Sequence, residues 1–188
     1  MASEAKSGLH VVPIRYQGHE RARPASDPVD AYAASGAFDA LGPATVAEPA
    51  FPEARRSGEP TVDLGIVGGE IAEAVAAGRR AGKPVLVVGG NCASVPGVVG
   101  GLQEAHGPAA RIGLVWLDAH GDFNTPETSY SGILAGMPLA ILAGLAGPLW
   151  RGAAGLAAPI PTDRILLAGV RELDDQEEGL LRSTSATI

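Results

Sequence analysis

Asp118, His120 and Asp122 set three metal-capable side chains at alternating positions, directly behind the apolar run Ile112-Gly-Leu-Val-Trp-Leu117. Two carboxylates and a neutral imidazole form a hard, mixed oxygen and nitrogen ligand set of the kind Mn2+ accepts. If strand geometry persists through Asp118, a period of two turns all three toward one side. The apolar run reads as a buried parallel strand, and in open α/β sheets ligands bind at the carboxyl ends of such strands.

The elements around this trio must deliver it. Leu9-His-Val-Val-Pro-Ile14 is a short strand candidate, and residues 17–64 read as a loop-rich segment with one or two short helices. From Glu70 the pattern sharpens: Ile71 and Val75 share a helical face that ends at Gly82-Lys83-Pro84. Val85-Leu-Val-Val88 predicts a buried strand closed by Gly89-Gly90, residues 92–104 a helix, 112–118 the next strand and 136–146 a further helix. Arg164 to Val170 predicts another strand and Asp175 to Arg182 a helix. Strands alternating with helices mean βαβ units and a mainly parallel sheet. The pattern stops at Ser-Thr-Ser-Ala-Thr-Ile188 with no closing strand, which predicts a C-terminally truncated gene product.

Bulk composition narrows the field. At 188 residues the chain suits one domain, spanning 1–188, with a sizeable core. A net charge of −7 with no basic stripe argues against nucleic acid as a partner. The longest apolar stretch, Leu139 to Leu149, is too short for a bilayer and is interrupted by Gly and Pro. One cysteine suits a reducing compartment, and the polar opening Met1-Ala-Ser-Glu-Ala-Lys carries no leader signature, so a cytoplasmic location is expected.

Three motifs, in order, resemble the arginase (ureohydrolase) family. The segment Asp118-Ala-His120-Gly-Asp122-Phe-Asn124-Thr-Pro-Glu-Thr-Ser-Tyr-Ser131-Gly resembles that family's metal-binding signature. Gly89-Gly-Asn-Cys92 stands where the family has Gly-Gly-Asp-His, and Gly169-Val-Arg-Glu172-Leu-Asp174-Asp-Gln-Glu177 resembles a third family segment. The resemblance implies a three-layer α/β/α fold, incomplete here at the C-terminus, and a centre of two Mn2+ ions. It implies hydrolysis of a linear amidine, a guanidino compound such as L-arginine, to urea and an amine through a hydroxide shared by the metals. By position, Asp118, His120, Asp122 and Cys92 match metal ligands, with Asp118 and Asp122 as bridging, catalytic carboxylates. Asn124 and Ser131 match residues that hold an amino-acid carboxylate, and Glu172 and Asp174 a pair near its amino group. Family members also form homo-oligomers.

Plainer readings stand beside these. Cys92 reads first as a small buried thiol at a strand-to-helix turn, although a helix N-terminus lowers a thiol's pKa. Asp174-x-x-Glu177 resembles a capping box, and Asn124-Thr-Pro and Ser131-Gly both favour turns. Three departures from the family matter. No Ser-x-Asp-x-Asp ligand motif follows, Cys92 offers a softer ligand that shifts preference toward zinc or iron, and Ala135 occupies the position of a proton-shuttling histidine. The alternative expectation is a catalytically dead homologue that binds a metal weakly or a partner protein; a third is a hydrolase of another guanidino acid.

Overall fold

The computed structural model describes residues 8–38 and 42–188; the polar opening and residues 39–41 of the loop-rich segment lie outside the described residues. Strand β1 (His10–Ile14) is buried along its whole length and forms the middle of a parallel sheet. It pairs with β4 (Thr45–Val46) on one side and β5 (Val85–Gly89) on the other, His10 lying opposite Val85 and Ile14 opposite Gly89. A short hairpin, β2 (Tyr16–Gln17) with β3 (Glu20–Arg21), follows β1. Alternation along β1 sends Leu9 and Val11 to one face, where Val29 of α1 (Val29–Ala34) covers them. Val12 and Ile14 go to the other face, against Val67, Ile71 and Val75 of α2 (Pro60–Arg80). Three layers result, helix on both faces of a parallel sheet.

Helix α2 begins ten residues before Glu70 and so reaches into the segment read as loop. Pro60 presets the backbone at its first turn, where a missing N–H costs nothing. Its early turns interleave Gly65, Gly68 and Gly69 with the buried Leu64 and Val67, so the apolar period is diluted. Packing explains the glycines. Helix α3 (Val95–His106) crosses α2 so closely that a Cβ at Gly97 would collide with the Gly68 carbonyl oxygen, and one at Gly101 would lie 2.5 Å from that of Ala72.

The second half of the sheet is β6 (Leu114–Leu117) paired in parallel with β7 (Ile165–Ala168). Trp116, Ile165 and Leu167 face a core with Phe123, Leu139 and Leu142 of α4 (Pro138–Leu142), and Leu181 of α6 (Asp175–Arg182). Full burial of each large side chain is worth about 1.5–3 kcal/mol. Between α4 and β7, α5 (Pro148–Ala153) packs Trp150 against α2. The opposite face of β6 is open: Val115 is 61% and Leu117 79% exposed. The strand read as buried is therefore buried only through Trp116, and β5 likewise leaves Leu86 partly exposed. Among the described residues β5 pairs only with β1 and β6 only with β7. A cleft of about 710 Å3 lies between the two half-sheets, lined by Val85, Val87, Val98, Leu102 and Ile112. The chain end does start a further pairing, since Leu167 N–H donates to Thr187 O at 2.7 Å and Thr187 N–H to Ile165 O at 3.0 Å.

Candidate metal centre

Cys92, Asp118 and Asp122 converge where β5 and β6 leave the sheet. After β5, Gly89 (φ 88°) and Gly90 (φ 71°) turn the chain through left-handed backbone. At Gly89 a Cβ would come within 2.4 Å of the Ile14 carbonyl oxygen, backbone that cannot swing aside, so a side chain is excluded there. Asn91 then accepts the Ala93 N–H at 3.1 Å, leaving Cys92 free to face Asp118. The Cys92 thiol points at Asp118 Oδ2 from 3.9 Å, and one donor atom from each of Cys92, Asp118 and Asp122 lies within 4.8 Å of the others.

His120 stands on the other side of Asp118. Its Nδ1 is 3.1 Å from Asp118 Oδ1, its backbone N–H donates to the same oxygen at 2.9 Å, and Nε2 is 3.7 Å from Glu172 Oε2. The strand period does not carry through the trio, because Asp122 adopts φ 47°, left-handed backbone rare outside glycine. Asp122 thus joins Cys92 instead of His120, and Asp118 presents one oxygen to each group. Loop-to-loop bonds fix this arrangement: Arg171 and Glu172 N–H both donate to Ala119 O, at 2.7 and 3.1 Å.

Charge and burial act in opposite directions on the two aspartates. The His120 backbone N–H, aided by its ring, holds the Asp118 carboxyl below its usual value despite partial burial. Burial pushes the Asp122 carboxyl up, and the charges of Asp118 and Glu177 add to this. Burial also pushes the Cys92 thiol up to about 12, reinforced by Asp122 and Asp118, so without a cation the sulfur keeps its proton at neutral pH. Asp122 is 6% exposed, and its Oδ2 is buried with no hydrogen-bond partner. Such an atom carries a desolvation penalty of about 1–3 kcal/mol unless something compensates it, and a cation among these three donors would do so. The residues present fit a divalent ion.

Every residue singled out from the sequence lines one cavity of about 550 Å3: Cys92, Asp118, His120, Asp122, Asn124, Ser131, Glu172 and Asp174, with Ala135 among them. Asn124 is buried and engaged at both ends of its amide, Nδ2 donating to Asp174 Oδ2 at 3.1 Å and Oδ1 accepting from the Thr128 hydroxyl at 2.8 Å. Ser131 Oγ accepts the Ile133 N–H at 3.3 Å, a turn contact at the pocket mouth. Glu172 is exposed on the rim, while Asp174 begins α6 with Glu177 in a capping box. The residue that sequence reading left in a capping role alone is Glu177. Buried, it accepts the Phe123 N–H at 2.8 Å and the Asp174 N–H at 3.3 Å, joining two site loops. Its signal was an acidic residue four positions before Leu181, on the buried face of an otherwise polar helix.

Fold and pocket define an α/β protein with a cation-ready, acidic pocket at the carboxyl ends of its strands. The Arginase family model matches residues 31–188, and the chain belongs to the arginase family. It is 36% identical over 119 residues to the arginase of Bacillus caldovelox and 35% identical over 117 residues to that of Neurospora crassa. Those matches cover 63% and 60% of this chain but 39% and 33% of the relatives. The solved structure of the Bacillus caldovelox arginase superposes with a TM-score of 0.81 at 27% identity, covering 96% of this chain and 62% of that one. The chain thus spans under two thirds of the length of the curated relatives and solved arginases it matches. No helix among the described residues is long and apolar enough to cross a membrane.

Proposed function

We propose that residues 1–188 form one domain whose pocket is a divalent-cation centre for hydrolysis of a C–N bond in a guanidino compound, releasing urea and an amine. The observation that carries this reading is the buried, unpartnered Asp122 Oδ2 beside Cys92 and Asp118. Cys92, Asp118 and Asp122 would hold one cation, and His120 with the other Asp118 oxygen a second, Asp118 bridging them. When bound, divalent cations supply the Lewis acidity that brings the pKa of water from 15.7 toward about 7. The family implies Mn2+ for this role.

The chain's own residues supply charge and position. Asp118, Asp122, Glu172, Asp174 and Glu177 against Arg171 give the pocket a negative balance that suits a cationic substrate. Glu172 and Asp174 would receive the amino group of an L-arginine-like molecule, and Asn124 and Ser131 its carboxylate. A structural neighbour, the arginase of Entamoeba histolytica, is described in complex with L-ornithine. Ala135 offers no proton relay, which predicts turnover lower by about 10²–10⁴ than a histidine there would give.

Urea release from L-arginine and from shorter guanidino acids, after loading the chain with Mn2+ and measuring bound metal, tests the reading. Cation uptake with urea release supports it. Uptake without release from any guanidino compound leaves a cation-binding homologue, the second reading, which Ala135 favours. No uptake of any divalent ion overturns both.

A further inference from the structure

We propose that Cys92 makes the inner half of this centre a thiophilic subsite that takes Zn2+ or Co2+ in preference to Mn2+. The inference rests on the cation-centre reading above and goes beyond it by assigning the ion. Cys92, Asp118 and Asp122 offer one sulfur and two carboxylate oxygens, all mutually within 4.8 Å. Zinc bonds of about 2.3 Å to sulfur and 2.0 Å to oxygen, at a tetrahedral angle, separate the two donors by about 3.5 Å. The observed Cys92 Sγ to Asp118 Oδ2 distance is 3.9 Å, so closing on an ion needs a movement of a few tenths of an ångström.

Two features make this a ligand site and not a packed thiol beside acids. The Asp122 Oδ2 is enclosed and unpartnered, and the carboxylate it belongs to is within the same group of donors. The pocket opens over the three residues, so a fourth position is left for solvent, as in zinc sites that do chemistry. Softness then decides between ions. Thiolate favours zinc and other thiophilic ions, whereas carboxylate, carbonyl and water suit manganese. On the far side of Asp118, the donors are the His120 ring nitrogens with Asp118 Oδ1 at 3.1 Å and Glu172 Oε2 at 3.7 Å, a nitrogen and oxygen set. The two halves therefore differ in kind, and a mixed pair of ions follows. On binding, the sulfur–hydrogen bond breaks, the proton leaves to solvent, and the sulfur–metal bond forms.

Titration of the intact chain with Co2+ tests the assignment. A sulfur-to-cobalt charge-transfer band in the near ultraviolet is expected, lost in Cys92→Ser and displaced by Zn2+ but not by equal Mn2+. Cys92→His should narrow the Zn2+ over Mn2+ preference by at least about tenfold, since the thiolate adds to the general order that already places Zn2+ above Mn2+. Because Cys92 is the single cysteine, a readout on the unmodified chain is available if the variants do not fold. Its alkylation rate should fall at least tenfold with Zn2+ and stay unchanged with Mn2+. Cobalt bound without the band, or equal protection by Mn2+, overturns the proposal and leaves the cation centre standing. No binding of Co2+, Zn2+ or Mn2+ sinks the centre itself, and this inference with it.

Discussion

The buried carboxylate of Glu177 accepts the backbone N–H of Phe123 at 2.8 Å, tying helix α6 to the loop that carries Asp122. One side chain thereby connects two segments more than fifty residues apart in sequence. This loop has left-handed backbone at Asp122, one residue before the contact, so the bond holds a conformation the sequence alone would not choose.

Glu177→Ala leaves the Phe123 N–H buried without a partner, which costs about 1–3 kcal/mol. Urea denaturation should show that loss, with a weakened affinity for divalent cations because Asp122 is no longer held. Glu177→Gln keeps an acceptor for Phe123 and should recover most of the stability. Equal losses for the two variants would contradict this account.

Asp122→Asn should move stability and binding in opposite directions. The substitution replaces a buried carboxylate by a neutral amide and removes the repulsion from Asp118, so the cation-free chain gains about 1 kcal/mol. Cation affinity should fall by more than the roughly 10–100-fold seen for groups that only support a ligand. Thermal denaturation with and without added metal reads both effects in one experiment.

Asp63 sets an acid limit to stability. Burial alone would raise its pKa, but the Ser57 N–H at 2.6 Å, the Ser57 hydroxyl at 2.8 Å and the Gly58 N–H at 3.1 Å outweigh this and hold it below 3.8. A carboxyl depressed on folding contributes stability that is fully present above its unfolded value and lost as pH falls through the folded one. Asp63→Asn should therefore be less stable than the parent at pH 7, and the difference should shrink below pH 4, roughly the unfolded value. A difference independent of pH would rule this out.

Gly97→Ala tests the close crossing of α2 and α3. The added Cβ meets the Gly68 carbonyl oxygen, backbone that cannot swing aside. Overpacking of this kind costs about 1–3 kcal/mol, whereas Gly179→Ala on α6, where a Cβ meets nothing within 4 Å, should gain up to about 1 kcal/mol from helix propensity. Paired melting temperatures check both signs.

Much of the site was legible because its residues sit in short motifs at the ends of strands, and one pocket contains them all. Helix α6 was legible to its last residue, since Asp174 and Glu177 announce its start and Arg182 its final turn. The first half of α2 was not. Its buried face sets Leu64 and Val67 among Asp63 and the glycines packed on Ala153 and Ala154, and such a face carries only a weak hydrophobic period. The pairing of the trio was also hidden, because a single left-handed residue, Asp122, exchanged His120 for Cys92 as its neighbour. Pattern predicted burial for Val115 and Leu117, yet burial depends on what covers a face, and nothing among the described residues covers theirs.

The bare strand margins on either side of the cleft between β5 and β6 have a practical consequence. Strand margins that pair with no strand among the described residues, with Val115 and Leu117 exposed beside β6, are templates to which an extended chain can add, a copy of the same molecule included. Light scattering is therefore expected to rise with protein concentration at temperatures below the melting point.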